Sequence, residues 1–332
     1  MSRNGILAAG NFIVDKVKTI DVYPAQDCLA NIQAVETCNG GGPFNLLVDL
    51  AHMECAFSLA AAGLVSELDD EGRYVRSFLE ERGVDTSMLG TTDRARTSYT
   101  DVMSVADTGR RTFFHYRGAN ALLGPDHLHL EGSSAKLFYL GYLLLLDGLD
   151  KVEDGDTGAA QVLKRARELG MVTAVDCVSE DSHRFREVVL PALHHSDIVF
   201  MNEIEAERTT GMQVQDPSSC DRVARELLRQ GVGKAVFLHM PYGAYAKAAT
   251  GEAAWQSSVK LPAERIAGAV GAGDAFAAGV LAGWHAGADL GTCLTQGVCV
   301  AASCLTHPTT SGGVKSLAEC LALGDQYGFV TV

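Results

Sequence analysis

Residues 270–280 read V-G-A-G-D-A-F-A-A-G-V, two glycines and an aspartate at the mouth of a stretch of small apolar residues. A helix start leaves backbone N–H groups unpaired, and glycine lets an anion approach them closely, so this stretch can hold a phosphate with an acid beside it. Asp274 has two possible jobs there. One is structural, an N-cap whose carboxylate bonds the amides of the next turn. The other is chemical: a general base that takes a proton from an attacking hydroxyl, while the amides of Gly271, Ala272, Gly273 and Asp274 stabilise charge on the transferred group.

Two further stretches carry similar alternatives. Gly40-Gly41-Gly42-Pro43-Phe44-Asn45 puts three glycines before a helix start, where Asn45 is either a turn or capping residue or a hydrogen-bond partner for a hydroxylated ligand. Asn202-Glu203-Ile204-Glu205 follows directly on an apolar run, a position at which open α/β sheets hold their ligands. Asn202 and Glu205 either cap a helix or, lying three apart on one face, hold a hydrated magnesium ion. Two other glycine patterns carry no such weight. Gly231-Val232-Gly233-Lys234 lacks the spacing and terminal hydroxyl residue of a Walker loop, and no G-x-G-x-x-G follows a strand.

The elements that must position these residues alternate. Residues 5–10, 136–140, 172–176, 198–201 and 235–239 read as buried strands, and 44–53, 69–82, 157–169, 183–193 and 221–230 as helices. Further helices follow from residue 275. The pattern predicts an α/β fold with a mostly parallel central sheet flanked by helices. Residues 15–38 and 97–117 interrupt that rhythm with exposed β character. The second stretch folds back on a turn at Asp107-Thr108-Gly109-Arg110, and together they predict a small sheet, inserted in two pieces, that covers a site.

Composition narrows the function. At 332 residues, with 47% hydrophobic and 20% charged residues, the chain is an ordinary globular protein with a sizeable core. A net charge of −14 disfavours nucleic acid and anionic membrane surfaces as partners. The nine cysteines show no C-x-x-C spacing and lie mostly in apolar stretches, so they are expected to be reduced core residues. Cys299, Cys304 and His307 match no common zinc spacing. No basic-then-apolar leader, N-x-S/T site or membrane-length apolar run is present, and a cytoplasmic address is expected.

Read together, the motifs resemble the PfkB/ribokinase family of carbohydrate kinases over nearly the whole chain. Gly10-Asn11-Phe12-Ile13-Val14-Asp15 resembles that family's first strand and substrate-binding aspartate, and Gly41-Gly42-Pro43-Phe44-Asn45 its glycine hinge. Gly118-Ala119-Asn120 resembles its G-A-N, Asn202 and Glu205 its N-x-x-E, and Gly271-Ala272-Gly273-Asp274-Ala275-Phe276 its G-A-G-D-A-F. The resemblance implies one kinase domain over residues 1–332 (ribokinase-like), with a lid at about 12–39 and 96–117. It implies ATP and magnesium as cofactors and Asp274 as the base. It also places Asp15, Gly41, Gly42, Asn45 and Asn120 against a sugar or nucleoside acceptor, and Asn202, Glu205 and Gly243 on the nucleotide side, Glu205 reaching magnesium through water. Arg117 becomes an anion contact if it faces the acceptor, whereas Arg110 and Arg111 are expected to be solvated turn charges.

The chain also departs from the family. Gly268-Ala269 replaces the usual D-T, which puts a monovalent-cation site in doubt, and Leu238-His239-Met240-Pro241-Tyr242-Gly243 keeps only the last glycine of T-x-G-x-x-G. The expected activity is phosphoryl transfer from ATP to an alcohol of a sugar-like acceptor. Its rivals are a nucleoside kinase of the same family and a catalytically weak sugar or nucleotide sensor. A lid with one apolar face would need a partner for it, which predicts a homodimer joined through the lids.

Overall fold

A computed structural model describes residues 3–180 and 182–331. The strands expected from apolar runs, with others the sequence reading lacks, assemble into a nine-stranded sheet. From the centre outward on one side the order is Ile6–Gly10, Leu59–Ser66 and Asp85–Thr92. On the other side it is Leu137–Leu143, Val172–Cys177, Ile198–Asn202 and Ala235–Met240. All of these pair in parallel.

Such strands are apolar on both faces because helices cover both. In Ile6–Gly10 the side chains of Ile6 and Ala8 enter one core and those of Leu7 and Ala9 the other. Helices Gly42–His52, Asp70–Glu80, Ala272–Ala286 and Leu290–Leu305 fill the first core through residues such as Phe44, Val75, Phe276 and Val298. Helices Gly158–Glu168, Phe185–Leu193 and Pro217–Arg229 fill the second.

The alternation of strand and helix stops after Met240. Gly243–Ala248 and Ala253–Ser257 add two antiparallel strands at the sheet edge, which the sequence reading lacks. The reason is compositional: G-A-Y-A-K-A holds no β-branched residue and no alternation, yet all six positions are buried. Strand Asp85–Thr92 at the other edge was also unread, its polar D-T-S-M-L-G-T-T matching neither template.

A second sheet of four strands stands apart, in the order Ile32–Gly40, Ile13–Ile20, Tyr99–Val105, Arg111–Tyr116. Its strands come from the two stretches of β character that broke the α/β rhythm. The register sets Asp15 opposite Cys38 on one side and Thr100 on the other, so these three share a face.

The root of this small sheet is fastened to the main body at Asp69. That carboxylate caps helix Asp70–Glu80 by accepting from Gly72 N at 2.8 Å. It also accepts from Thr97 N at 2.7 Å and Thr97 Oγ1 at 2.8 Å, just before strand Tyr99–Val105 begins. One buried acid thus serves a helix and a strand entry. Replacing Asp69 with alanine removes the cap and leaves Thr97 N without its charged partner, which should cost about 2–3 kcal/mol. Urea unfolding of the Asp69→Ala variant measures this; a loss below about 0.5 kcal/mol, ordinary for a surface change, would rule the anchor out.

Candidate active site

The carboxyl ends of the parallel strands open on a common edge, where ligands of open α/β sheets bind. Strand Ile6–Gly10 leads to Asn11, Leu137–Leu143 carries Tyr142, Val172–Cys177 carries Asp176, Ile198–Asn202 ends on Asn202, and Ala235–Met240 carries His239. Helix Ala272–Ala286 points its N-terminus at this edge. Its N-cap is Gly271, held at φ 84 in the left-handed region that glycine tolerates. Among the described residues the amides of Gly271, Gly273 and Asp274 have no protein acceptor. Ala272 and Gly273 face a cavity of about 570 Å³ that also touches Asn202, His239 and Gly243.

Asp274 sits in the first turn of that helix and is buried. Its carboxylate does not cap the helix, which removes the structural alternative for this residue. Instead Asn45 Nδ2 donates to Oδ2 at 2.8 Å, and the Tyr142 hydroxyl lies 2.6 Å from Oδ1 and 2.7 Å from Oδ2. Burial pushes the acid up to about 6, and the Asn45 and Tyr142 donors hold it from rising further.

Asn45 is itself oriented by its neighbours. Asn39 Nδ2 donates to Asn45 Oδ1 at 2.6 Å and to Ser311 Oγ at 2.9 Å, and Thr310 Oγ1 donates to the Asn39 carbonyl at 2.6 Å. With its oxygen taken by Asn39, the Asn45 amide can only present its NH2 to Asp274. Glycine is required beside this network, since a Cβ on Gly41 would collide with the Asn11 carbonyl and one on Gly42 would lie 2.8 Å from the Tyr142 ring.

Asp15 projects from the small sheet into the same cleft. Burial raises it to about 7; the Thr100 hydroxyl opposes that rise, the charge of Asp274 adds to it, and Arg111 draws it down. On the opposite side, Asn202 caps helix Glu203–Thr210, accepting from Ile204 N and Glu205 N, and Glu205 Oε2 accepts from Asn202 N in return. Ser179 Oγ donates to Glu205 Oε1 at 2.7 Å. The ligand atoms of Asp176, Cys177 and Glu205 lie within 4.8 Å of one another, all buried. Desolvation raises Glu205 to about 7 and Asp176 well above the usual carboxylate range.

The sequence model of the pfkB family carbohydrate kinases matches residues 8–317. This chain belongs to that family. The maize protein Fructokinase-1 is 27% identical over 220 residues, covering 63% of this chain and 64% of its own length, so the chain spans just under two thirds of that relative. The ATP-dependent ribose-1-phosphate kinase of Halopiger xanaduensis is 26% identical over 300 residues, covering 86% of each chain. In fold, the chain is similar to Arabidopsis thaliana ribokinase solved with ribose and ATP, with a TM-score of 0.81 at 20% identity, over 97% of this chain and 99% of that one.

For a member of the pfkB family, the positions of the expected residues divide into two groups. Asp15, Gly41, Gly42, Asn45, Gly271, Ala272, Gly273 and Asp274 converge on one cleft, and Asn202, Glu205 and Gly243 border its far side. Asn120 and Arg117 are engaged by groups of the protein itself. Asn120 Nδ2 donates to the Phe12 carbonyl at 3.2 Å and its N–H to Ser98 Oγ at 3.1 Å, tying the entries of the small sheet together. Arg117 is taken up by Asp147 at 2.7 Å and lies 3.9 Å from Glu180.

The arginine that reaches across the cleft is Arg111, whose Nη2 donates to the Pro308 carbonyl at 2.7 Å; it is not a free turn charge. Tyr142, Asn39, Ser311 and Asp176 were absent from the sequence reading. Only Tyr142 carried a signal, a phenol at the end of an apolar strand whose other tyrosine, Tyr139, is fully buried. A Cβ on Gly271 would be driven into the Thr310 carbonyl as well as forced to positive φ. Gly271→Ala should therefore lower stability by about 2 kcal/mol or more. Denaturant unfolding reads this, and an unchanged midpoint would show that the helix start tolerates a side chain.

Proposed function

We propose that this protein is an ATP-dependent kinase that phosphorylates an alcohol of a sugar or related polyol, with Asp274 as general base. The observation that carries the reading is a buried carboxylate raised to about 6 beside three unpartnered helix-start amides. The fructokinase and ribose-1-phosphate kinase relatives and the ribokinase-like fold support it. Phosphoryl transfer asks for positioning and charge stabilisation more than for covalent chemistry, and this cleft is built of those two things.

In this reading the acceptor lies between Asp15, Gly41, Gly42 and Asn45. Asp274 takes the proton of its hydroxyl as that oxygen bonds the γ-phosphorus, the bond to the β–γ bridging oxygen breaks, and ADP leaves. The amides of Gly271, Gly273 and Asp274 receive the charge that develops on the transferred group. The nucleotide occupies the cavity bordered by Asn202, His239 and Gly243. His239, held neutral by burial that lowers it to about 4, lies against Gly273 at its phosphate end.

The donor set on that side fits a hard divalent cation. Glu205 and Asp176 offer buried carboxylate oxygens close to one another, and the charge of Glu205 adds to the rise of Asp176. Magnesium held there, through water at Glu205, would neutralise charge on the nucleotide phosphates. No side chain at Gly268 or Ala269 offers an oxygen ligand to a monovalent cation, so activity independent of potassium goes with this reading. The four-stranded sheet serves as the lid over the acceptor. Ile32, Val35 and Phe114 are each more than half exposed on the face opposite Asp15, and a second copy of this lid is the proposed cover. Sedimentation of the intact protein at micromolar concentration should give a dimer; a monomer would remove that part.

Asp274→Asn keeps the volume and loses the base, so turnover on the best acceptor should fall about a thousandfold. The base must be ionised to work. Activity of the unaltered protein is therefore expected to be full above pH 7 and to decline as pH falls through about 6. ADP release over a panel of sugars, sugar acids and nucleosides measures both. Near-full turnover by Asp274→Asn would sink the mechanism, and silence across the whole panel would sink the activity.

A further inference from the structure

The phenol of Tyr142 stands where a substrate hydroxyl has to stand. A group that hands its proton to Asp274 must come within hydrogen-bond distance of Oδ1 or Oδ2, and the Tyr142 hydroxyl holds both, at 2.6 and 2.7 Å. The remaining donor, Asn45 Nδ2, already lies on Oδ2. We infer that Tyr142 is a positioning residue that occupies the base in place of an acceptor alcohol, keeping water from being activated against the nucleotide until an acceptor displaces it. The inference rests on Asp274 being the base and goes beyond that reading by assigning how the site tells an acceptor from water.

Three features fix the ring in this place. Tyr142 N donates to Asn11 Oδ1 at 2.8 Å, and Asn11 N donates to the Gly141 carbonyl at 3.0 Å, so the main chain on both sides of the peptide is held. The ring edge packs on the bare Cα of Gly42, where a Cβ would meet Cε1 at 2.8 Å and Cδ1 at 3.1 Å. Tyr142 itself is half-buried while Asp274 is buried, so the ring forms the wall between the base and the open cleft.

The discrimination follows from what each competitor gains. A phenol bonded to a carboxylate makes a charge-assisted hydrogen bond, stronger than a neutral one. Water entering alone would trade that bond for one of its own and lose its freedom, with nothing else to hold it. A polyol acceptor brings additional hydroxyls to Asp15 and Asn45, and those contacts offset the displacement of the phenol. The reaction being suppressed is hydrolysis: the water oxygen bonds the γ-phosphorus, its proton goes to Asp274, the bond to the bridging oxygen breaks, and ADP and phosphate leave.

Tyr142→Phe keeps the ring on Gly42 and deletes only the hydroxyl. With magnesium and ATP but no acceptor, this variant should release ADP about tenfold faster than the unaltered protein or more, the scale of one hydrogen bond to a charged group. The ratio of transfer to hydrolysis should drop in step. Because the phenol helps hold Asp274 down, the acid limb of hydrolysis should move to higher pH in the variant. Adding Asp274→Asn to Tyr142→Phe should abolish the extra hydrolysis.

A second measurement needs no variant: an analogue of the best acceptor lacking the reactive hydroxyl should stimulate ATP hydrolysis by the unaltered protein, since it evicts the phenol without replacing it at the base. Hydrolysis by Tyr142→Phe at or below the unaltered rate, or no stimulation by the deoxy analogue, overturns the inference while Asp274→Asn remains inactive. If Asp274→Asn transfers phosphate normally, the inference and the mechanism fall together.

Discussion

The structure is governed by the burial of one carboxylate. Asp274 has lost nearly all its water, so the protein must supply hydrogen-bond donors to any negative charge it carries. Those donors come from far apart in the chain: Asn45 from the first turn of helix Gly42–His52, and Tyr142 from the end of a central strand. Neither is free to point elsewhere. Asn39, at the end of a small-sheet strand, fixes the Asn45 amide and is fixed in turn by Thr310 and Ser311. Asp274 is therefore joined by short hydrogen bonds to the small sheet, the central sheet and the loop after helix Leu290–Leu305. A network of this kind works only when every member is satisfied, so the three bodies are held in register around one acid.

What was legible in the sequence is what local backbone physics dictates. Gly271 must be glycine because its φ is positive, and Gly41 and Gly42 must be because a carbonyl and an aromatic ring pack against them. Constraints of that sort leave a residue type at a fixed place, and a reader can find it. The buried parallel strands were visible for the same reason, as apolar runs spaced by helices. What was not legible depends on three-dimensional convergence. Ser311 and Asn39 are 272 positions apart and share one hydrogen bond. Nothing in either local sequence announces it.

The two arginines show the limit clearly. Arg111 opens the last strand of the small sheet and Arg117 follows its end; the sequence reading, by resemblance, made Arg117 an anion contact if it faced the acceptor and left Arg111 a solvated turn charge. Arg117 lies past the strand end and meets Asp147, while Arg111 opens the strand opposite Ser104 and reaches Pro308. Where the strand ends and which acid or carbonyl lies beside each guanidinium set these contacts, and neither is visible in the local sequence. The edge strands Gly243–Ala248 and Ala253–Ser257 were missed for a related reason: alanines and glycine fill space left by larger neighbours such as Trp255, and their strand state comes from pairing and not from propensity.

The acids of the cleft share one electrostatic setting, and it bears on the role proposed for Asp274. Asp15, Asp49, Asp176 and Glu205 are all buried, all raised above the ordinary carboxylate range by burial, and each feels the charge of Asp274. Asp49 lies one turn beyond Asn45 in the same helix, and the Ser311 hydroxyl beside it opposes the rise that burial causes. On the positive side stand Arg111 and the helix-start amides. Burial alone raises Asp274 itself, and the Asn45 and Tyr142 donors that touch it favour its charged form. A carboxylate moved from 3.8 to about 6 holds its proton about a hundredfold more tightly than an exposed one. It is still mostly ionised at neutral pH, so the gain in basicity does not cost the working population. Burial, which in isolation only penalises a charge, here leaves an acid with raised proton affinity that is still mostly ionised at neutral pH, as the proposed base has to be.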